Sequence, residues 1–141
     1  MSSQTKLAYG TMEWFRMVGE TMCQAALDSH LPSDVNYSLV EHFVDGDEWS
    51  DGLFEGYRFE IAGGKPMFRL GARPGEVADL ILRVRRDASR AMHKLHGHHP
   101  EFMATIEKFT DSDDFVVVQG NLADLFELLG PIHDVIVDKT A

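Results

Sequence analysis

The segment that decides the fold runs from Tyr57 to Gly130 and reads YRFEIAGGKPMFRLGARPGEVADLILRVRRDASRAMHKLHGHHPEFMATIEKFTDSDDFVVVQGNLADLFELLG. Its apolar residues first alternate as in strands, then recur at helical spacing, then form a short apolar run before a last helical stretch. This order predicts strand, hairpin, strand, loop, strand, two helices, strand and helix. We therefore predict a sheet covered by helices, with an apolar space between the two layers.

Local signals set the element boundaries. Gly63-Gly64 tolerates positive φ and predicts a tight hairpin between two strands. Asp87 and Asn121 are placed to cap helices, and Pro100 suits a helical first turn. The predicted elements are a helix over 6–27, strands over 35–43, 53–61, 67–72, 78–84 and 115–118, two helices between 87 and 110, a helix after 121 and a last short helix after 131.

Length and composition indicate one domain, residues 1–141, with an ordinary share of hydrophobic (44%) and charged (26%) residues. No apolar run reaches the roughly 18 residues of a membrane span. Residues 1–6 lack the apolar core of a secretory signal. The single cysteine, Cys23, fits a reducing compartment, so we expect a cytoplasmic protein.

The charge balance argues against several partners. The chain has 13 basic and 23 acidic residues, a net charge of −10, and nucleic-acid binding needs basic clusters. The arginines Arg83, Arg85, Arg86 and Arg90 read as a solvated sheet edge and helix start. We expect no nucleic-acid partner, no stable membrane insertion, and a neutral or cationic small molecule as ligand.

Two stretches hold possible metal ligands. His93 and His96 lie three residues apart, but Gly97 interrupts the helix, and we interpret His93–His99 as a solvated, partly capping cluster with metal binding as the alternative. The acidic stretch 45–52 begins like a calcium loop but lacks its turn glycine and final glutamate. We predict no metal and no cofactor.

Two carboxylates interrupt apolar strand faces. Glu41 and Glu55 are interpreted as lying near strand ends, wet or paired with arginine, because buried unpaired carboxylates are rare. The alternative is an inward carboxylate whose raised pKa suits proton transfer. In that case Glu41 and His133 are the candidate acid–base residues.

Methionines and aromatic residues fall on the apolar faces of several elements, where they either fill a core or line a cavity. We predict Glu41, His42, Tyr57 and Arg58 as polar anchors of a ligand. The residues predicted to line a hydrophobic cavity are Phe15, Met22, Phe59, Phe68, Leu80, Leu82, Met92, Phe102, Met103, Phe109 and Leu125.

The chain resembles the sterol-carrier-protein-like (SCP-2-like) lipid-binding family over roughly residues 56–130. The motifs are GYRFEI at 56–61, the hairpin at 63–65, ADLIL at 78–82 and FVVVQGN at 115–121. Asn121 stands where the family has aspartate, and both residues cap helices. The resemblance implies an α+β fold, with a curved, mostly antiparallel sheet of about five strands and a tunnel for fatty acyl chains, sterols or other apolar molecules.

The chain departs from the family pattern at three points. Asp111–Asp114 replaces a glycine before the late strand, and Asp138–Ala141 is not a peroxisomal address of the Ser-Lys-Leu type. The net charge of −10 differs from the basic character of a carrier that docks on membranes. These departures favour a bacterial cytosol and a specialised ligand.

Three functions remain open at the level of the sequence. The first is non-enzymatic binding of a hydrophobic small molecule of lipid, fatty acyl or sterol-like type. The second is a small cofactor-free enzyme, an isomerase, hydrolase or cyclase, acting on an apolar metabolite. The third is an interaction module, a homodimer, whose cavity is filled by its own side chains.

Overall fold

The computed structural model describes residues 6–141, and residues 1–5, part of the stretch without a predicted secretory signal, lie outside the described residues. The helices are α1 (Met12–Asp28), α2 (Arg86–Met92), α3 (Phe102–Asp111), α4 (Leu122–Leu129) and α5 (Ile132–Asp138). The strands are β1 (Tyr37–Phe43), β2 (Glu48–Ser50), β3 (Leu53–Ala62), β4 (Lys65–Ala72), β5 (Leu80–Val84) and β6 (Phe115–Gln119).

The strands form one open, mixed sheet with the order β2-β3-β1-β5-β6, and β4 pairs with β3. Only β1 and β5 run parallel among the strand pairs of residues 6–141; the other pairs are antiparallel. The predicted α+β class with a mostly antiparallel sheet is confirmed. The short strand β2 lies in the stretch predicted as an acidic loop. None of the helices in the described part of the chain has the length and apolarity to cross a bilayer.

The inner face of the sheet is set by strand register. Leu39 of β1 lies between Phe59 of β3 and Leu80 of β5, and all three are fully buried. Two residues further along β1, Glu41 lies between Tyr57 and Leu82. Because side chains alternate along a strand, both rows lie on the same face. An apolar row therefore lies beside a row that carries a carboxyl and a phenol.

Helix α1 packs its apolar side on this face and begins later than predicted. Gly10 has a φ of 81°, which stops a helix from continuing through it. The hydroxyl of Thr11 accepts the N–H of Trp14 at 3.2 Å and so caps the helix. Phe15 and Met22, on the side of α1 that faces the sheet, are buried in the core.

The beginnings of α2 and α4 are capped in different ways. Asn121 accepts the N–H of Ala123 at 2.8 Å, so the predicted cap of α4 is confirmed. The predicted cap of α2 by Asp87 is wrong, because the helix follows the extended residue Arg85 without a side-chain cap. Instead, the N–H of Arg86 donates to Asp45 Oδ1 at 2.9 Å, a contact that spans 41 positions in sequence.

Candidate functional site

A cavity of about 330 Å³ lies between the inner face of the sheet and helices α2 to α5. This volume falls in the range of sites for small organic ligands. Its walls are formed by Glu41, Tyr57, Leu82, Met92, His93, Gly97, Phe102, Ile106, Phe115, Leu122, Leu125, Phe126, Pro131, Ile132, His133, Asp134 and Ile136.

The wall opposite the sheet is apolar and comes mainly from α3 and α4. Helix α3 contributes Phe102 and Ile106, and α4 contributes Leu125 and Phe126. No residue of α3 is buried, and Phe126 is 43% exposed although it is a large apolar side chain. Phe102, Ile106 and Phe126 are therefore less buried than the core residues, whereas Leu125 is buried, and this leaves room for an apolar molecule against α3 and Phe126.

A carboxyl and a phenol form the polar part of the sheet wall. The hydroxyl of Tyr57 donates to Glu41 Oε1 at 2.7 Å, between cross-strand neighbours. Glu41 is half-buried, and its side chain lines the cavity. Burial raises the pKa of Glu41, although the hydrogen bond from Tyr57 opposes the shift. Burial and the adjacent Glu41 raise the pKa of Tyr57 well above its ordinary value, so Tyr57 keeps its proton.

Two histidines meet on the helical side of the cavity, with ring centroids 5.2 Å apart. His93 Nδ1 lies 2.7 Å from the carbonyl oxygen of Ser89, and His133 Nε2 lies 2.8 Å from that of Leu95. A carbonyl oxygen only accepts, so these two nitrogens carry the protons. The remaining nitrogens, His93 Nε2 and His133 Nδ1, are therefore acceptors when the rings are neutral.

The ring of His93 is held by its surroundings in the neutral form. Trp14 contacts it edge-on at 5.2 Å between centroids, and Tyr9 lies at 6.1 Å. Burial, followed by the effect of His133, lowers the pKa of His93 to about 4. Its predicted place in a solvated histidine cluster is wrong, because the ring lies between α1 and the cavity.

Some of the predicted ligand residues line the cavity, and others lie elsewhere. Those on its wall are Glu41, Tyr57, Leu82, Met92, Phe102, Leu125 and His133. Those that fill the core instead are Phe15, Met22, Phe59 and Leu80. Phe68 packs against Gly19 and Tyr57, Met103 is 62% exposed, and Phe109 lies under Lys108.

Two predicted polar anchors lie on the outer face of the sheet. Arg58 follows Tyr57 in β3, so it points away from the cavity, where it pairs with Glu60 and Glu76. His42 follows Glu41 in β1 and lines a separate outer hollow. Strand alternation thus places both residues outside the cavity.

Glu55 has the structural role that the sequence favoured. Its side chain is 4% exposed and is paired with Arg86, whose Nε donates to Glu55 Oε2 at 2.7 Å while Nη2 donates to Oε1. The predicted pairing with arginine is confirmed for Glu55. For Glu41 the same interpretation is wrong: among residues 6–141 its hydrogen-bond partner is Tyr57, and it faces the cavity.

The two candidate metal stretches are engaged in protein contacts. His96 Nε2 lies 2.6 Å from Asp138 Oδ1, and His99 Nδ1 accepts the N–H of Glu101. Asp45 and Asp47 both contact Arg86. Within residues 6–141 no group of three or more His, Cys, Asp or Glu side chains is arranged to hold a metal ion.

Sequence reasoning missed His93 as a cavity residue and Phe115, Leu122 and Ile132 as parts of the wall. His93 directly follows Met92, a predicted cavity residue, and lies four residues after Ser89, whose carbonyl orients its ring.

Comparison with known proteins yields similarity in structure only. No protein-family model matches the chain, and no curated protein matches it in sequence. Among solved structures, a conserved hypothetical protein of Thermus thermophilus, described as a possible sterol carrier protein, is 10% identical, with 99% of this chain and 96% of that chain covered and a TM-score of 0.46.

Two further solved structures are similar. A sterol carrier protein 2 is 12% identical, with 91% of this chain and 93% of that chain covered and a TM-score of 0.47. A stereoselective inverting sec-alkylsulfatase from Pseudomonas sp. is 15% identical over 82% of this chain, which corresponds to 16% of the sulfatase, with a TM-score of 0.45. Sterol carrier proteins are the family that the sequence resembles, and at these identities the likeness concerns the fold alone.

Replacing Glu41 with glutamine is expected to stabilise the protein increasingly as pH rises. The pKa of Glu41 is higher in the folded protein than its ordinary value of 4.5, so the protonated carboxyl contributes to stability. This contribution is fully present below pH 4.5 and is lost as the pH rises through the pKa of the folded protein. Glutamine loses no proton and still offers Tyr57 an acceptor. Urea unfolding between about pH 4 and about pH 8 measures the difference in free energy of unfolding between the variant and the parent. This difference should grow with pH by more than about 0.5 kcal/mol, the size typical of surface changes.

The matched control for this prediction is Glu107→Gln, a change of the same chemistry at an exposed position of α3. It should leave the pH dependence of the parent unaltered. Parallel stability curves for Glu41→Gln and the parent would contradict the prediction.

Proposed function

We propose that this protein binds an apolar small molecule, of lipid, fatty acyl or sterol-like type, inside the cavity. The observation that carries the proposal is the cavity itself: about 330 Å³, with largely apolar walls and a few polar groups at the sheet and on α5. Sites for small apolar ligands have this composition, because burial supplies affinity and a few polar groups fix orientation.

The state of helix α3 supports the same proposal. Phe102 and Ile106 turn toward the cavity but are only half-buried, and no α3 residue is buried. An apolar ligand between α3 and the sheet removes these side chains from water, at roughly 25 cal/mol for each Å² buried. The ligand then supplies part of the packing that α3 lacks.

A second candidate function is acid–base catalysis on the same molecule without a cofactor. Glu41 and His133, the residues considered for this role from the sequence, both line the cavity, together with Tyr57 and His93. A carboxyl of raised pKa that lines the same cavity as two imidazoles suits transfer of a proton within an apolar substrate. Binding remains the leading function because it needs only the cavity.

The finer assignments remain proposals. The cytoplasmic location is proposed from the single cysteine, and the bacterial source from the departures from the family pattern. The third function, an interaction module, required the chain's own side chains to fill the cavity, and an open cavity disfavours it. A homodimer remains a prediction that the mass of the native protein tests.

Native mass spectrometry of freshly purified protein, followed by extraction into organic solvent, tests the proposal. We expect a retained apolar molecule, or binding of fatty acids, fatty alcohols or sterols to the stripped protein with a Kd on the order of micromolar. A mass that stays that of the bare chain with every one of these compounds overturns the proposal. Recovery of a chemically altered compound favours the catalytic candidate.

A further inference from the structure

Among the side chains that line the cavity, free hydrogen-bond acceptors outnumber free donors, and this imbalance bears on the ligand if the proposed function holds. Glu41 Oε1 accepts from Tyr57, but Oε2 has no partner among residues 6–141. Within the same residues, His93 Nε2 and His133 Nδ1 are also without a partner, since each ring bonds through its other nitrogen. All three side chains line the cavity.

The donors of these side chains are already engaged. The Tyr57 hydroxyl donates to Glu41, and the ring N–H groups of His93 and His133 donate to backbone carbonyls. The N–H of Gly97, also on the wall, donates to Asp134 Oδ1 at 2.7 Å. A proton on Glu41 Oε2 adds one donor, but two imidazole nitrogens remain as acceptors when the rings are neutral, so side-chain acceptors stay in excess.

We propose that the ligand carries a hydrogen-bond-donating head, an alcohol or an amine, whose O–H or N–H donates to one or more of the free acceptors on Glu41, His93 and His133 while its apolar body lies against α3 and α4. A carboxylate head brings only further acceptors to these side chains, where a protonated Glu41 offers at most one donor, and each buried acceptor left unpaired costs about 1–3 kcal/mol. The net charge of −10 also disfavours an anionic head.

The test uses the ligand-stripped full chain and four compounds with the same apolar tail: decanol, decylamine, decanoate and decyl methyl ether. Each compound is titrated by calorimetry. Decanol and decylamine are expected to bind at least about tenfold more tightly than decanoate and the ether, the effect of one hydrogen bond that the other heads cannot donate. The order of decanol and decylamine then tells whether the head is neutral or cationic.

The variant Glu41→Gln supplies the second arm. Its amide keeps the acceptor for Tyr57 and adds an N–H donor, so the gap between decanol and decanoate should shrink to less than about threefold. Glu107→Gln, at an exposed position of α3 away from the cavity wall, should keep the full gap.

The outcomes separate this inference from the proposed function. Equal affinities for all four compounds, or tighter binding of decanoate, overturn the donor-head inference and leave apolar binding in place. Failure of all four compounds to bind overturns the donor-head inference, and failure of sterols in the same titration overturns the proposed function as well. An unchanged gap in Glu41→Gln overturns the role of Glu41 in selecting the head.

Discussion

Replacing Arg86 with methionine is expected to lower the free energy of unfolding by about 2–4 kcal/mol, because Glu55 is left as an uncompensated charge in the protein interior. The Glu55 side chain is 4% exposed and receives two hydrogen bonds from the guanidinium. The estimate is about 1 kcal/mol lower than the about 3–5 kcal/mol for a fully buried pair, because the Arg86 side chain is 39% exposed and water can approach the vacated place. Urea unfolding near neutral pH measures the loss.

The neighbouring arginine offers a matched control. Arg85 pairs with Asp114 at 3.2 Å, and its side chain is 54% exposed. Arg85→Met should therefore cost less than about 1 kcal/mol, as exposed pairs do. In the double variant Arg86→Met with Glu55→Met, the charge is removed as well, and most of the lost stability should return. Equal losses for the two arginines would contradict the interpretation.

Replacing Ile106 with tryptophan is expected to weaken binding of an apolar ligand by about a hundredfold, equivalent to about 2.7 kcal/mol. Ile106 lines the cavity from α3, so the larger side chain occupies space that the ligand needs. The fold should be retained, because no residue of α3 is buried and the indole enters the cavity instead of a packed core. Titration of the stripped variant with decanol measures the effect.

Met103 provides the control on the same helix. It is 62% exposed and does not line the cavity, so Met103→Trp adds the same indole outside the site. Its ligand affinity should match that of the parent, and thermal unfolding should report intact folding for both variants. If Ile106→Trp binds ligand as the parent does, the cavity is not where the ligand lies.

Most of the fold could be predicted because its signals are local. Alternation of apolar residues located β1, β3 and β5, and Asn121 located the beginning of α4. The misplaced beginning of α2 has a non-local cause, since Asp45 reaches its first turn from the loop after β1. The three residues of β2 are too few for an alternation to be visible in the sequence.

The site could be predicted only in part, for two physical reasons. A buried core and an apolar cavity demand the same residue types, so the sequence does not separate Phe59 in the core from Leu82 on the cavity wall. The acceptor state of His93 depends on a backbone carbonyl, which no residue pattern records. In contrast, the positions of Glu41 and Tyr57 could be predicted, because strand alternation alone puts both side chains on the inner face of the sheet.

The lack of buried residues in α3 has a consequence for how such a protein can diversify. Mutations in most domains trade a new specificity against loss of folded protein, since side chains that contact ligand also hold the core. Here Phe102 and Ile106 contact the cavity and belong to a helix without buried residues. Selection can therefore alter the α3 part of the apolar wall with little loss of folding stability, while the polar groups on the sheet stay unchanged.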